Sequence, residues 1–312
     1  MKVAVLCNSR LGIPAIQQLI SMRLITACAT PNLVHEENDE IAWICQQTST
    51  PHRTFSKIQV KQEMEQWLQT YTPDVVLVLT FPYRIPENLL HKPKYGFINF
   101  HFGMLPTYRG ADAIFWQLKN RESMGAISIH QMTAELDKGP LYAIQQVPIQ
   151  AHDTYGSHSN ALAFAGVGAA TSTLSILEQN TKPVFQNELE AKYYKRPTLD
   201  DVTIDWTEKA DDILALINAC NPWNKGALCT IDGYPLKIIR ADKGSLPVNG
   251  ATGEIIQLNS DKGFEVACGK NESIVIHVCY FNNEFITLDK LVHSGLRAGL
   301  RFDNRRKKIS LN

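Results

Sequence analysis

Three polar side chains whose types could take part in catalysis lie in two short stretches of the chain, 96–111 and 135–140. Asn99 and His101 end an apolar run and stand two residues apart, so in a β-strand both side chains point to the same face of the sheet. Asp137 follows in the second stretch, in a loop after the next apolar run. A carboxylate, an imidazole and an amide that converge on one atom can move a proton and stabilise an oxyanion. These residue types therefore favour acyl-type group transfer, although each alone is also a common structural or capping residue.

The elements that must position these residues are short apolar runs alternating with amphipathic segments. Strands are predicted at 3–6, 25–29, 75–79, 97–100 and 126–132, and helices at 14–22, 39–47, 59–71, 111–119 and 154–178. This alternation is typical of an α/β fold, a doubly wound parallel sheet covered by helices, with ligands bound outside the carboxyl ends of the strands. The first turn, 7–12, lacks the G-x-G-x-x-G pattern, which disfavours a nicotinamide cofactor.

The pattern changes near residue 203. After a predicted helix at 210–219 come short alternating strands at 227–231, 235–240, 253–258, 263–267 and 273–279, with turn residues about every ten positions. Such spacing predicts a small OB-like open β-barrel. We therefore predict two domains, residues 1–203 and residues 204–312.

The composition is that of a neutral globular protein. Among 312 residues, 31 are Lys or Arg and 31 are Asp or Glu, so no overall basic field draws the chain to nucleic acid. No run approaches the roughly eighteen apolar residues of a membrane span, and the N-terminus has the pattern of a first strand and not of a signal peptide. Seven scattered cysteines without a C-x-x-C pair fit reduced, buried thiols. We expect a cytoplasmic protein with no membrane partner and no metal.

With these motifs the sequence resembles the formyltransferases that use 10-formyltetrahydrofolate, which include methionyl-tRNA formyltransferase, glycinamide ribonucleotide transformylase and the sugar N-formyltransferases. The family's Asn-x-His, its Leu-Pro-x-x-Arg-Gly loop and its Leu-Asp-x-Gly turn match residues 99–101, 105–110 and 136–139 in order. The resemblance covers the whole chain, because 205–206 and 221–223 look like the entry to the C-terminal barrel of the methionyl-tRNA branch. It implies a Rossmann-like catalytic domain followed by that barrel.

The resemblance also implies catalytic roles. Asn99 and His101 would stabilise the oxyanion that forms when an amine attacks the formyl carbon. Asp137 would hold His101 and take the proton from the amine, directly or through water. Gly103 stands where family members often have Ser, which removes a hydroxyl and predicts a more flexible loop beside the site.

Two further groups of residues are implied as binding groups. The pterin of 10-formyltetrahydrofolate would lie against the backbone of two segments, which comprise Leu79, Phe81, Pro82, Tyr83, Arg84, Ile85, Ala134, Glu135 and Leu136. The amine acceptor would be bound by Arg10, Met104, Tyr108, Arg109 and Gly110. Of these, Arg10 stands where a basic side chain can meet a phosphate at the N-terminus of the following helix, or where it is simply a solvated loop residue.

The distribution of charge bears on which amine accepts the formyl group. In the tRNA enzymes of the family a long basic loop follows the second strand, whereas here residues 31–40 hold four acidic residues and no Lys or Arg. Residues 205–300 hold nine Lys or Arg against twelve Asp or Glu, and only the tail, 301–312, is basic at five against one. Because an acidic segment repels phosphates, we predict a small-molecule or carrier-bound primary amine, such as a nucleotide-linked amino sugar, and tRNA is disfavoured.

Three alternatives stay open at this point: a methionyl-tRNA formyltransferase, a 10-formyltetrahydrofolate hydrolase in which Asp137 activates water, and a non-catalytic binding module. The last is disfavoured because all three chemical groups are present. The C-terminal barrel can hold a partner, complete a homodimer or bind an oligonucleotide, and the basic run 305–308 can touch RNA.

Overall fold

The computed structural model describes residues 1–245, 247–259 and 263–303. Within them the helices are α1 (Ile13–Ser21), α2 (Glu36–Gln47), α3 (Val60–Tyr71), α4 (Ala113–Lys119), α5 (Tyr155–Glu178), α6 (Ala210–Ala219) and α7 (Leu288–His293). The strands are β1 (Val3–Leu6), β2 (Ile25–Pro31), β3 (His52–Phe55), β4 (Val75–Val78), β5 (Phe97–His101), β6 (Arg109–Gly110), β7 (Met124–Gln131), β8 (Leu141–Pro148), β9 (Tyr193–Tyr194), β10 (Ala227–Ile231), β11 (Tyr234–Lys243), β12 (Ile255–Asn259), β13 (Gly263–Ala267), β14 (Ser273–Phe281) and β15 (Glu284–Ile286).

The contacts divide the chain into two compact units. The first comprises residues 1–113, 124–148 and 159–195, and the second comprises 114–123, 149–158 and the chain from 196 onward. This division differs from the predicted domains in the two internal segments and in residues 196–203. The segment 114–123 joins the second unit because its side chains pack there, as the Phe115 ring does 5.7 Å from that of Trp223.

The first unit contains a seven-stranded sheet in the order β3-β2-β1-β4-β5-β7-β8. The strands from β3 to β5 are parallel, which confirms the α/β, Rossmann-like class. The sheet is mixed and not wholly parallel as predicted, because β7 is antiparallel to β5 and β8 to β7. Since α4 has only seven residues, about 10 Å of helix, it does not carry the chain back along the sheet, and β7 begins at the edge where β5 ends.

The register of this sheet places four residues in one row across four strands. Leu6 lies opposite Ala29 on β2 and opposite Val78 on β4, and Val78 lies opposite Asn99 on β5. The carboxyl ends of β2, β1, β4 and β5 therefore share one edge. With about 4.8 Å between neighbouring strands, Asn99 is about 14 Å from Ala29.

Helix α5 packs on this sheet through a small residue. A Cβ at Gly166 would lie 3.8 Å from the Ile127 side chain of β7, an ordinary van der Waals distance, so this face of α5 lies against the sheet. Among the described residues α5 is the one helix that is long and apolar enough to cross a membrane by length and composition. Its buried side chains, which include Leu162, Leu174 and Leu177, are also those expected of a core helix.

The second unit contains a six-stranded antiparallel sheet in the order β10-β11-β14-β13-β12, with β15 paired to β14. Single bridges join Ile231 to Phe302 and Glu254 to Arg301, so one short segment touches both edges of the sheet. Trp206 stacks on Phe302 inside this curved sheet, with 4.9 Å between the ring centroids. These features confirm the small OB-like barrel. The basic run 305–308 lies outside the described residues.

Candidate active site

His101 is the last residue of β5, and its imidazole is buried, with 8% of the residue exposed. Its Nε2 lies 2.6 Å from the carbonyl oxygen of Tyr108. Because a carbonyl can only accept, Nε2 carries a proton and donates it. The other nitrogen, Nδ1, lies 3.6 Å from Oδ2 of Asp137. Burial lowers the pKa of His101 below its ordinary value, and the attraction of Asp137 opposes that effect only in part.

Asp137 comes from the loop between β7 and β8 and is buried. Its backbone has a φ of +54°, in the left-handed region. Oδ2 accepts a hydrogen bond from the backbone N–H of Gly110 at 2.8 Å, and Oδ1 lies 3.6 Å from Nε2 of His130. Burial by itself raises the pKa of Asp137, but His101 and the hydrogen bond from the Gly110 N–H act in the opposite direction, and the net pKa is lowered. The carboxylate is therefore ionised at neutral pH.

Asn99 completes the group through a partner on the neighbouring strand. Its Nδ2 lies 3.0 Å from Nε2 of His130, and Nδ1 of His130 lies 3.0 Å from the Gln131 carbonyl oxygen. Because Nδ1 donates to that carbonyl, Nε2 accepts one N–H of the Asn99 amide. The second N–H has no acceptor among the described residues and can donate to a developing oxyanion.

His130 was not singled out from the sequence. The available signal was a polar residue inside the predicted strand 126–132, seven positions before Asp137. Its role depends on the pairing of Asn99 with His130 across β5 and β7, which the sequence pattern does not define.

The loop after β5 holds the catalytic candidates in place. Tyr108 supplies the carbonyl that orients His101, and its buried ring stacks on Tyr194 with the centroids 5.0 Å apart. Gly110 supplies the N–H that orients Asp137. Gly110 has a φ of +99°, and a Cβ there would overlap the Tyr194 carbonyl oxygen, so this position requires glycine. Tyr108 and Gly110, predicted to bind the acceptor, thus contact the catalytic residues through their backbone.

Arg109 has a different environment from the predicted one. Its guanidinium is fully buried. All five N–H donors are used inside the protein, by Gln186, Glu188 and Tyr193. No N–H of the Arg109 side chain is left to bind the amine substrate in this structure.

Gly103 is tightly packed, contrary to the expected loop flexibility. A Cβ there would lie 2.5 Å from Cβ of Ala113 and 2.8 Å from Nε2 of His101. The Ser128 hydroxyl donates to the Gly103 carbonyl at 2.6 Å and accepts from the Leu105 N–H at 3.0 Å. The turn that contains Met104 is therefore fixed from the neighbouring strand.

The two segments predicted to bind the pterin are joined by one hydrogen bond, from the Arg84 guanidinium to the Ala134 carbonyl oxygen at 3.1 Å. The backbone N–H groups of Phe81, Tyr83 and Arg84 donate to no other group in the part of the chain that the structure describes. Unpaired backbone donors beside a second segment suit the edge of a pterin. Leu79 and Ile85 are buried, so their side chains support this segment, whereas Pro82, Glu135 and Leu136 are exposed.

Arg10 lies among acidic residues of α2. Its guanidinium is 3.9 Å from Glu36, 4.0 Å from Glu37 and 3.5 Å from Glu40. All four side chains are at least partly exposed, so each pair contributes little to stability. The three carboxylates nevertheless offset the positive charge that was predicted to meet a phosphate.

A buried His–Asp pair beside an amide with a free N–H, on a doubly wound sheet, defines an enzyme of acyl-type group transfer. Comparison with known proteins identifies the transferred group as a formyl group. Residues 18–174 match the family described as Formyl transferase, and residues 198–284 match Formyl transferase, C-terminal domain. The chain belongs to the formyl transferase family, and it is a formyltransferase.

Two relatives of this chain are named methionyl-tRNA formyltransferase. Methionyl-tRNA formyltransferase of Geobacillus thermodenitrificans is 32% identical over 222 residues, which cover 71% of this chain and 69% of that protein. The enzyme of the same name from Clostridium botulinum is 27% identical over 94% of this chain and 96% of that protein.

Two solved structures share the fold. The sugar 3N-formyl transferase WlaRD, solved in the presence of dTDP and 5-N-formyl-THF, has a TM-score of 0.66 at 16% identity and covers 88% of this chain and 97% of its own. HypX from Aquifex aeolicus in complex with tetrahydrofolic acid has a TM-score of 0.64 at 15% identity. This match covers 94% of the present chain but only 47% of HypX.

Among the residues described, no group of three or more His, Cys, Asp or Glu side chains could hold a metal ion.

Proposed function

We propose that the protein transfers the formyl group of 10-formyltetrahydrofolate to a primary amine, with Asn99, His101 and Asp137 as the catalytic residues. The observation that carries the proposal is the contact of the ionised Asp137 with His101 beside the free N–H of Asn99. The folate supplies the formyl carbon. The backbone donors of Phe81, Tyr83 and Arg84 hold its pterin.

Each residue has one task in this reaction. The Asp137 carboxylate accepts the proton that the amine loses as its nitrogen bonds to the formyl carbon, and returns it to the leaving nitrogen of the folate. The free Asn99 N–H donates to the oxyanion, which is worth about 3–4 kcal/mol for a well-placed donor. Burial lowers the pKa of His101 in the resting enzyme. The proton that Asp137 takes from the amine can pass to the unprotonated Nδ1 of His101, 3.6 Å away, and the imidazolium so formed stabilises the oxyanion before the proton returns through Asp137 to the leaving nitrogen.

For the acceptor we propose a small or carrier-bound primary amine, such as a nucleotide-linked amino sugar. The support is the acidic first turn of α2, which holds Glu36, Glu37 and Asp39 and follows β2 at the carboxyl edge of the sheet. Ala29, near the end of β2, shares this edge with Asn99 and lies about 14 Å from it at three strand spacings. Glu36, Glu37 and Glu40 also surround Arg10, and these carboxylates repel a polyanion that comes within a Debye length, roughly 10 Å, of this turn.

Methionyl-tRNA is the second candidate, supported by the relatives of that name that span most of this chain. The two acceptors differ in salt dependence, because tRNA binding releases counterions and weakens steeply as salt rises. Turnover of an amino sugar carrying one nucleotide changes far less.

The deciding experiment supplies purified protein and 10-formyltetrahydrofolate with either dTDP-linked amino sugars or methionyl-tRNA, at 50 and 200 mM salt. We expect formyl transfer to the sugar and little to tRNA. Robust turnover with methionyl-tRNA that falls steeply with salt would overturn the acceptor proposal. Formate release that needs no amine would instead identify a hydrolase. The Asp232→Asn variant, changed in an exposed turn of the second unit, serves as the active control.

A further inference from the structure

The buried Arg109 is tied to a glutamine that no motif singled out. Nε and Nη2 of Arg109 donate to Oε1 of Gln186 at 3.1 and 2.9 Å. The remaining donors reach Glu188 and the Tyr193 hydroxyl. A fully buried guanidinium with all its donors satisfied is a rigid anchor for whatever it binds.

The other end of the Gln186 side chain reaches the loop of the catalytic carboxylate. Its Nε2 donates to the carbonyl oxygen of Asp137 at 2.7 Å and to that of Gly139 at 2.8 Å. The orientation of the amide is fixed by its partners, because Arg109 can only donate and the two carbonyls can only accept. Both N–H groups and both lone pairs of the amide are therefore used.

These bonds act on a strained point of the backbone. Asp137 is not glycine, yet it has a φ of +54°, a strained conformation that persists only where its surroundings enforce it. Gly110 holds the Asp137 carboxylate and Gln186 holds its backbone carbonyl. Gly110 and Arg109, to which Gln186 is bound, are consecutive residues of the short strand β6. Both bonds therefore fix Asp137 relative to this strand.

We propose that Gln186 is a positioning residue for catalysis: it couples the buried Arg109 to the Asp137–Gly139 turn and so holds the Asp137 carboxylate beside His101. This inference rests on the proposed role of Asp137 in formyl transfer. It also explains why Arg109 is buried and has no side-chain N–H left to bind a ligand. An error of about 1 Å in the placement of a catalytic group can cost 10²-fold in rate.

The first test replaces Gln186 by Glu. The carboxylate still accepts from Arg109, but it has no N–H and faces two carbonyl oxygens, so the turn is pushed away. We expect kcat to fall about 10²-fold, while the Kd of 5-formyltetrahydrofolate changes less than about threefold, since none of its proposed backbone donors is bound to Gln186. Gln145→Glu makes the same amide-to-acid change at an exposed position of β8 and should leave kcat unchanged.

The second test needs no acceptor. Gln186→Met removes both donors without adding charge, and the titration of His101 is followed by NMR in 15N-histidine-labelled protein. The groups that face His101 are Asp137 and His130. If Asp137 moves away, the titration of His101 shifts to lower pH, because the attraction that opposes burial is weakened. Gln145→Met, the same substitution at an exposed position of β8, should leave that titration in place.

The outcomes separate the two proposals. A lower kcat in Gln186→Glu together with a shifted His101 titration in Gln186→Met supports the positioning role. Wild-type kcat in folded Gln186→Glu, or an unshifted His101 in Gln186→Met, overturns it. If no amine is formylated by the wild-type protein, the proposed function fails, and the His101 titration still decides whether Gln186 positions Asp137.

Discussion

The amide of Asn99 lies directly across the β5–β7 pair from His130, with 3.0 Å between Nδ2 and Nε2. This hydrogen bond fixes the rotation of the amide, and its second N–H has no acceptor among the described residues. His130 itself is held by the Gln131 carbonyl. The orientation of the proposed oxyanion donor is thus determined from the neighbouring strand.

Replacement of His130 by Leu tests this relationship. Without the acceptor, the Asn99 amide rotates freely, and we expect kcat to fall at least tenfold, up to the 10²–10³-fold that loss of one oxyanion donor costs. His130→Gln, which keeps an acceptor oxygen, should recover part of the activity. Gln145→Leu on the exposed face of β8 is the control. Equal activity of the Leu and Gln variants would argue against the orienting role.

Asp137→Asn removes the proposed proton acceptor at nearly constant shape. We expect kcat/KM to fall on the order of 10³-fold or more, about 4 kcal/mol of transition-state stabilisation, with the folate still bound. Steady-state kinetics with whichever acceptor the wild-type protein formylates measure the change, and Asp232→Asn serves as the control. A variant that keeps full activity would rule out Asp137 as the base.

Gly103→Ala tests the packing beside His101. The new methyl meets Ala113 at 2.5 Å and His101 at 2.8 Å, and such overpacking costs typically 1–3 kcal/mol. We expect a lower free energy of unfolding and a lower kcat. Ala113→Gly removes one of the two clashes, so the double variant should be more stable than Gly103→Ala, as measured by urea unfolding. If the changes in the free energy of unfolding of the two single variants simply add in the double variant, residues 103 and 113 are not in contact.

The pKa of His101 predicts how stability depends on pH. Burial lowers this pKa from 6.5 in the folded protein. Below pH 6.5 the unfolded chain therefore takes up a proton that the folded protein does not, and the free energy of unfolding falls as the pH falls, by up to about 1.4 kcal/mol per pH unit for one group. The pKa of Asp137 is also lowered, from 3.8. The stability that Asp137 contributes is therefore present above pH 3.8 and is lost as the pH falls through the folded pKa.

Urea unfolding at pH 7 and pH 5 measures the effect of His101. The wild-type protein should lose more stability between these values than His101→Gln. The variant should keep part of the loss, because burial also lowers the pKa values of His52 and His158. An identical loss in both proteins would show that His101 is protonated freely in the folded state.

Much of the fold follows from local pattern. Strand β1 and helix α6 have the predicted bounds, because a fully apolar run and a 3.6-residue repeat are signals that short segments carry by themselves. Strand β8 was missed because Val147 is its one fully buried residue, so its sequence lacks the apolar alternation of a strand. The direction of β7 could not be predicted from local pattern either, since it depends on the path that the chain takes between β5 and β7.

The sequence by itself determined the chemical groups of this protein: the amide of Asn99, the imidazole of His101 and the carboxylate of Asp137, with the family to which their spacing belongs. Side-chain type and spacing along a strand are local properties, so they can be identified without coordinates. Only the tertiary structure decided which groups hold them. His130 and Gln186 lie 31 residues beyond Asn99 and 49 beyond Asp137, and such contacts exist only once the sheet has formed and buried polar groups must find partners.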